Sequence, residues 1–289
     1  MKWDKVIIGQ YSFPEKIRFL LYKILKNLLD RIPASIQSSY FLFNRLLESG
    51  ATLQKAGDKN IVNFEHNGIQ RKVLLRRGTS DGNIFVDVFL NNSYKNFIDL
   101  ARKYNVEVNT IVDAGANIGL TTLYLKTYYP HARVISLEPF PANTGMLKSN
   151  IDLNRLEKVH IEQKGLWGKS CHLKNRTSFR DNEPWSFSLD ETDDPGLALF
   201  SALSVPDLLA LYKIPSIDLL KIDIEGGEVS VFSEQHKPLE WLNKVKIMAI
   251  EIHDEFNCRE QIESLLKANH FELLHDGELT YCVNRQLAK

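Results

Sequence analysis

From Thr110 onward the chain alternates short apolar runs with stretches of helical periodicity, and this alternation limits it to a parallel sheet covered by helices on both faces. The expected strands are Thr110–Asp113, Ala132–Glu138, Val159–Trp167, Ser216–Asp223 and Lys246–His253. Between them Ile118–Tyr129, Asn143–Leu153 and Pro206–Leu211 read as helices, and Arg259–Asn269 follows as another. Phe271–His275 and Leu279–Val283 flank Asp276-Gly277, a strong hairpin signal, so an antiparallel pair gives the sheet a mixed edge. The pattern yields seven strands from Thr110 on. Residues 168–200 read as an irregular, polar insertion.

The remainder is organised differently. Residues 1–57 read as a helical N-terminal extension, with Gly50 and Gly57 bracketing a break. Residues 58–109 read as lead-in strands and a helix packing on the core: Ile61–Phe64 and Lys72–Arg76 look like strands, with a turn at Asn67-Gly68. Residues 110–289 form the main domain. With 44% apolar and 25% charged residues, the 289-residue chain is of ordinary globular composition, which excludes disorder and fibrous architectures. Lys plus Arg equals Asp plus Glu at 36 each, so a dedicated nucleic-acid binder is not expected. Cys171, Cys258 and Cys282 are widely spaced and encode neither a disulfide framework nor a zinc knuckle.

The first ten residues lack a signal-peptide apolar region, and no stretch is long and apolar enough to span a membrane. A cytoplasmic location follows. Within residues 16–29, Ile17, Leu20, Leu21, Ile24, Leu25, Leu28 and Leu29 form one stripe, with Lys16, Arg18, Lys23 and Lys26 opposite. Such a helix either lies on the anionic inner surface of a membrane or packs on protein. The second reading is favoured, because most amphipathic helices cover a core.

Carboxylates close the expected strands. Asp113-Ala-Gly115-Ala-Asn117-Ile-Gly119 joins the first strand to the first helix, where ligands of open α/β sheets bind. Gly115 and Gly119 permit close backbone approach to a ligand, although such glycines also serve tight turns. Glu138 ends the next strand, 19 residues after Gly119, and suits the two hydroxyls of a ribose. Asp223, Glu225 and Glu228 surround Gly226-Gly227 at the fourth strand end. Glu251 and His253 close the fifth. A continuing strand would put Asp223 and Glu225 on one side, and likewise Glu251 and His253. Several bases thus converge on one crevice.

Asp113–Gly119, Leu137–Asn143, Asn150–Asn154 and Lys221–Glu228, with Arg77–Asp81 as a lead-in, resemble the FkbM-type family of S-adenosylmethionine-dependent methyltransferases. The resemblance covers roughly Leu74 to Val283, and residues 1–60 lie outside it. It implies a class I methyltransferase fold, Rossmann-like, with a seven-stranded mixed sheet. It further implies that the Asp113–Gly119 loop, including Asn117, cradles the methionine part of S-adenosyl-L-methionine. Glu138 would hold the ribose, and Phe140 and Trp167 would flank the adenine, although Trp167 also fits a core position. Members commonly methylate hydroxyls on sugars, glycans or secondary metabolites, so an O-methyltransferase acting on a small-molecule or glycan acceptor is the first expectation.

Asp223 and His253, with Glu251 beside them, are the candidate general bases. With His253 as base, the rate would rise through the ordinary histidine pKa near 6.5. Asp223, Glu225 and His253 are the alternative ligands for a divalent cation. Two rivals remain. An NAD-dependent oxidoreductase is disfavoured by the incomplete glycine fingerprint, and a non-catalytic cofactor-binding module is disfavoured by the retained acids.

Overall fold

The computed structural model describes residues 17, 45, 46, 49–175, 189–233 and 239–288. The expected helix over residues 16–29 and most of the helical stretch before residue 49 fall outside them. Among the described residues no helix is long and apolar enough to cross a membrane. The chain divides into two compact units. One runs to Ser93 and takes in Lys148–Arg155. The other comprises Tyr94–Leu147 and Leu156–Lys289.

The first unit holds a three-stranded antiparallel sheet, β1 (Thr52–Ala56), β2 (Lys59–His66) and β3 (Ile69–Arg76). This corrects the helical reading of residues 1–57 at its C-terminal end. Gly57 is not a break between domains but part of a hairpin turn, because Ala56 pairs with Lys59 and Thr52 with Asn63. Helix α1 (Asp81–Phe85) follows and runs into a π-helical turn, Val86–Leu90. Phe64 stacks edge-on against Phe85 and Phe89, fixing the sheet's apolar face on this helix. The lead-in motif ends in Asp81, which is fully buried. It accepts the Arg76 N–H at 2.8 Å and grips the Arg76 guanidinium through both oxygens. Asn150 and Asn154, at one helical turn's spacing, satisfy the Leu74 and Lys72 backbone of β3.

The second unit opens with α2 (Lys95–Lys103). It continues through β4 (Thr110–Ala114), α3 (Leu120–Tyr128), β5 (Arg133–Leu137), α4 (Pro141–Leu153, whose last turns group with the first unit) and β6 (Val159–Glu162). A small sheet follows, in the order β7 (Gly165–Leu166), β10 (Phe200–Leu203), β8 (Cys171–Asn175), β9 (Leu189–Thr192). After it come α5 (Val205–Tyr212), β11 (Ile217–Ile222), α6 (Glu228–Val231), β12 (Val245–Glu251), α7 (Arg259–Ala268), β13 (Phe271–Asp276) and β14 (Leu279–Asn284).

The large sheet has seven strands in the order β13-β14-β12-β11-β4-β5-β6, with β14 antiparallel to both neighbours and the rest of the ladder parallel. This is the class I methyltransferase arrangement, as expected. β11 is buried at every position, as a central parallel strand covered on both faces must be. One face carries Val112, Ile135, Leu220, Met248 and Ile250 into a core shared with Leu208, Leu209, Val231, Ile262 and Leu266. Ser204 caps α5 by accepting the Asp207 N–H.

Two strand readings are corrected. Val159–Trp167 is not one strand: it leaves the large sheet after Glu162, and Gly165-Leu166 pair instead with β10. Residues 168–200 are not simply irregular, because β8, β9 and β10 form antiparallel ladders there.

Candidate functional site

Chain order reverses between β4 and β11. From β4 the sheet grows outward through β5 and β6, and from β11 it grows the opposite way. A crevice for ligands opens at such a point, at the carboxyl ends of the strands. The loops Asp113–Gly119 and Asp223–Gly227 leave those two strand ends.

On the β4 side, Gly115 and Gly119 hold φ of +75° and +85°. The close approach they permit is to protein. A Cβ at Gly115 would lie 1.7 Å from the Asp223 carbonyl oxygen, and one at Gly119 would lie 2.4 Å from Leu147 Cδ1. Bulk at Gly115 would therefore displace the neighbouring strand end before any ligand. Asp113 is fully buried and accepts the Thr122 hydroxyl at 2.6 Å. Burial pushes its carboxyl pKa up, against the opposing pull of Lys221.

Glu138, 4% exposed, is held at the end of β5 by the Asn117 N–H (2.9 Å, to Oε2) and by the Phe140 N–H and Asn143 amide (3.0 and 3.3 Å, to Oε1). Burial raises its pKa. Asn117 itself sits at φ +49°, and its side-chain Oδ1 is buried without a hydrogen-bond partner. Phe140 packs edge-on against Phe200 of the small sheet. Trp167 donates its indole N–H to Glu191 Oε1 (3.0 Å), and its ring lies 3.3 Å from where a Gly227 Cβ would stand. The small sheet thus orients both aromatic groups.

On the β11 side the chain turns at once. Glu225 sits at φ +54° and Gly226 at +92°, so Glu225 does not continue the strand beside Asp223 as expected. The Phe256 ring covers Gly226, leaving no room for a side chain there. Asp223, Glu251 and His253 do converge: each offers one ligand atom, and these atoms lie within 4.8 Å of one another. Among the described residues this is the group that could hold a metal ion, with Glu251 in the place expected for Glu225.

Charge is distributed unevenly here. His253 Nε2 stands 3.4 Å from Glu225 Oε2 and 4.0 Å from Glu251 Oε1, while Nδ1 stands 3.3 Å from Glu228 Oε1. Glu228 is completely buried and also accepts the Ile224 N–H. Glu225 first, and Glu228 with it, push the His253 pKa up to about 11. The imidazole is therefore charged at neutral pH, and the expectation of a neutral histidine titrating near 6.5 is corrected. Burial, with Asp223 adding repulsion, pushes Glu251 up to about 7. A carboxylate poised at that value is suited to accept a proton at neutral pH.

Sequence reasoning passed over Lys221. It is 2% exposed in the middle of the sheet, and its Nζ donates to the Gly115 carbonyl at 2.6 Å and pairs with Asp223 Oδ2 at 3.2 Å. The signal was one charge inside the apolar run Leu219-Leu-Lys-Ile222. A lysine so deep in a central strand requires a partner.

A family model described as "Methyltransferase FkbM domain" matches residues 113–273. The chain is similar to methyltransferase sdnD of Sordaria araneosa, at 30% identity over 228 residues, covering 67% of this chain and 83% of that protein. It is also similar to methyltransferase 1 of Beauveria bassiana (strain ARSEF 2860), at 29% identity over 142 residues, covering 42% of this chain and 56% of that one. Among solved structures, methyltransferase FkbM from Methylobacillus flagellatus KT aligns with a TM-score of 0.41 and 14% identity, covering 96% of this chain and 62% of that chain.

Proposed function

This chain belongs to the FkbM methyltransferase family, and from that premise we propose that it moves the methyl group of S-adenosylmethionine to a hydroxyl oxygen on a sugar, glycan or secondary metabolite. Residues 110–289 would carry both ligands. The observation that carries this reading is the convergence of Asp223 and Glu251 at the ends of β11 and β12, with Glu251 raised to about 7.

The residues present fit the cofactor. Glu138 Oε2 accepts one N–H and has a lone pair left for a ribose hydroxyl, and the unpartnered Asn117 Oδ1 is an acceptor awaiting a donor. Phe140 and Trp167 offer aromatic faces on the adenine side. When bound, S-adenosylmethionine supplies a methyl group activated on a sulfonium.

The chain's own work is then positioning and proton transfer. A hydroxyl is a weak nucleophile at neutral pH and gains from a base within hydrogen-bond reach. Glu251 would accept the hydroxyl proton, and the partly exposed carboxylate would then release that proton to solvent. Asp223 orients the same hydroxyl. His253, a fixed cation between Glu225 and Glu228, holds Glu251 in place and moderates its proton affinity. Lys221 and His253 set two positive charges against these carboxylates.

The test is incubation with methyl-labelled S-adenosylmethionine and a panel of hydroxyl-bearing sugars, glycans and secondary metabolites. Label recovered as a methyl ether supports the reading. Label on nitrogen or carbon sinks the O-methyl assignment, and failure to bind S-adenosylmethionine sinks the cofactor assignment.

A further inference from the structure

We propose that Lys221 is the positioning residue that ties the loop assigned to the cofactor, Asp113–Gly119, to the acceptor-side loop, Asp223–Gly227. Its ammonium pairs with Asp223 on the acceptor side. The inference rests on the reading above.

The register of the sheet puts Lys221 where it can do this. Ser136, Asp113, Lys221 and Ala249 are successive partners across β5, β4, β11 and β12, so their side chains share one face. Asp223 follows Lys221 by two residues. An ammonium has three donors. One reaches the Gly115 carbonyl at 2.6 Å, on the first loop, and a second faces Asp223 Oδ2 at 3.2 Å, on the other. The third is free for Asp113 Oδ1, 3.8 Å away, a fully buried oxygen without a hydrogen bond of its own.

Burying an ammonium is costly unless it is paired, and an apolar side chain of similar length would fill the space without that cost. Here the two close contacts of the ammonium go one to each loop. Lys126 is buried to the same degree, and its ammonium donates to the Pro130 and Ala132 carbonyls just beyond its own helix. Lys221 instead joins segments 106 residues apart.

The two contacts make the role measurable. Lys221 faces Asp113, Asp223 and the Tyr94 hydroxyl, and its ammonium touches both loops. Removing the lysine leaves the Gly115 carbonyl without its donor and Asp223 without its partner, so the two loops lose the group that joins them.

Full-length Lys221→Met, Lys221→Arg, Asp113→Asn and the double variant Lys221→Met/Asp113→Asn test this. The double variant removes the buried lysine without leaving Asp113 as an unpaired charge, and Asp113→Asn alone separates the loss of that carboxylate from the loss of the lysine. Thermal unfolding reports folding, and calorimetry with S-adenosylhomocysteine reports the cofactor loop. The expected result is a folded double variant that binds S-adenosylhomocysteine about tenfold more weakly than Asp113→Asn or worse, because the Gly115 carbonyl has lost its donor. Lys221→Arg, which keeps the charge and a donor, should bind within about threefold of wild type. A folded double variant that binds as tightly as Asp113→Asn, or a Lys221→Arg protein as weak as Lys221→Met, overturns the inference while leaving the methyltransferase reading intact. A wild-type protein that binds no S-adenosylhomocysteine overturns the cofactor reading and this inference together.

Discussion

The Gly115 backbone approaches Asp223 so closely that a Cβ at position 115 would stand 1.7 Å from the Asp223 carbonyl oxygen. The ends of β4 and β11 therefore meet through a position that tolerates only hydrogen. Gly115→Ala should destabilise the protein by about 2–4 kcal/mol, combining left-handed strain with displaced backbone. Gly145→Ala is the control, because nothing lies within 4 Å of its would-be Cβ on helix α4. It should be neutral or stabilising by up to about 1 kcal/mol. Urea midpoints decide, and a Gly115→Ala protein as stable as wild type would refute the packing argument.

Much of this architecture is legible in the sequence because it rests on local chemistry. The apolar runs at Thr110, Arg133 and Ile217 form strands where their periodicity puts them, and Asp276-Gly277 turns the hairpin it signals. What is not legible depends on neighbours distant in sequence. No pattern reveals whether Gly115 makes room for a ligand or for Asp223. Nor does spacing reveal that His253 stands between Glu225 and Glu228, which changes it from a base into a fixed cation. The Cys171–Asn175 and Leu189–Thr192 strands escape detection because polar residues alternate through them and their partners lie across an insertion. Lys221 reads as an interruption until the register sets it opposite Asp113.

Cofactor affinity should depend on Glu138 without the fold depending on its charge. Glu138→Gln keeps one carbonyl acceptor for the Asn117 or Phe140 N–H, yet loses the charge that strengthens bonds to ribose hydroxyls. Binding of S-adenosylmethionine should weaken by about 1.5–3 kcal/mol, the usual worth of a bond to a charged group. Calorimetry on the folded variant measures it, and an unchanged constant would remove Glu138 from the site.

The Arg76–Asp81 clamp should matter to stability alone. Asp81 is buried and engages both the Arg76 backbone and its guanidinium, so Asp81→Ala strands these donors. The loss should be about 2–4 kcal/mol, in the range for breaking a largely buried charged pair. Denaturant unfolding of the variant checks this, and a shift under about 0.5 kcal/mol, as for an ordinary surface change, would show the clamp to be dispensable.

Chelation should not affect turnover. Asp223 already pairs with the Lys221 ammonium, and His253 stands beside Glu251. A chelator should leave the rate unchanged, and added Mg²⁺ or Mn²⁺ should not raise it. Loss of activity with chelator, restored by either ion, would reassign these three residues as metal ligands.

The pH dependence separates Glu251 from His253. Glu251 is raised to about 7, so it is protonated below that pH and able to accept a proton above it. Turnover should therefore rise through about pH 7 and stay high well beyond, because His253 keeps its proton until about 11. Glu251→Gln should lower turnover by roughly 10²–10⁴-fold and abolish the limb, with cofactor affinity near normal. His253→Gln removes a cation that lowers the Glu251 pKa, so its limb should move to higher pH while activity survives above it. If histidine were the base, the same substitution would instead abolish the limb and the activity with it. A His253→Gln enzyme that is inactive at every pH, beside an active Glu251→Gln enzyme, would return the proton to His253 and reduce Glu251 to its orienting partner.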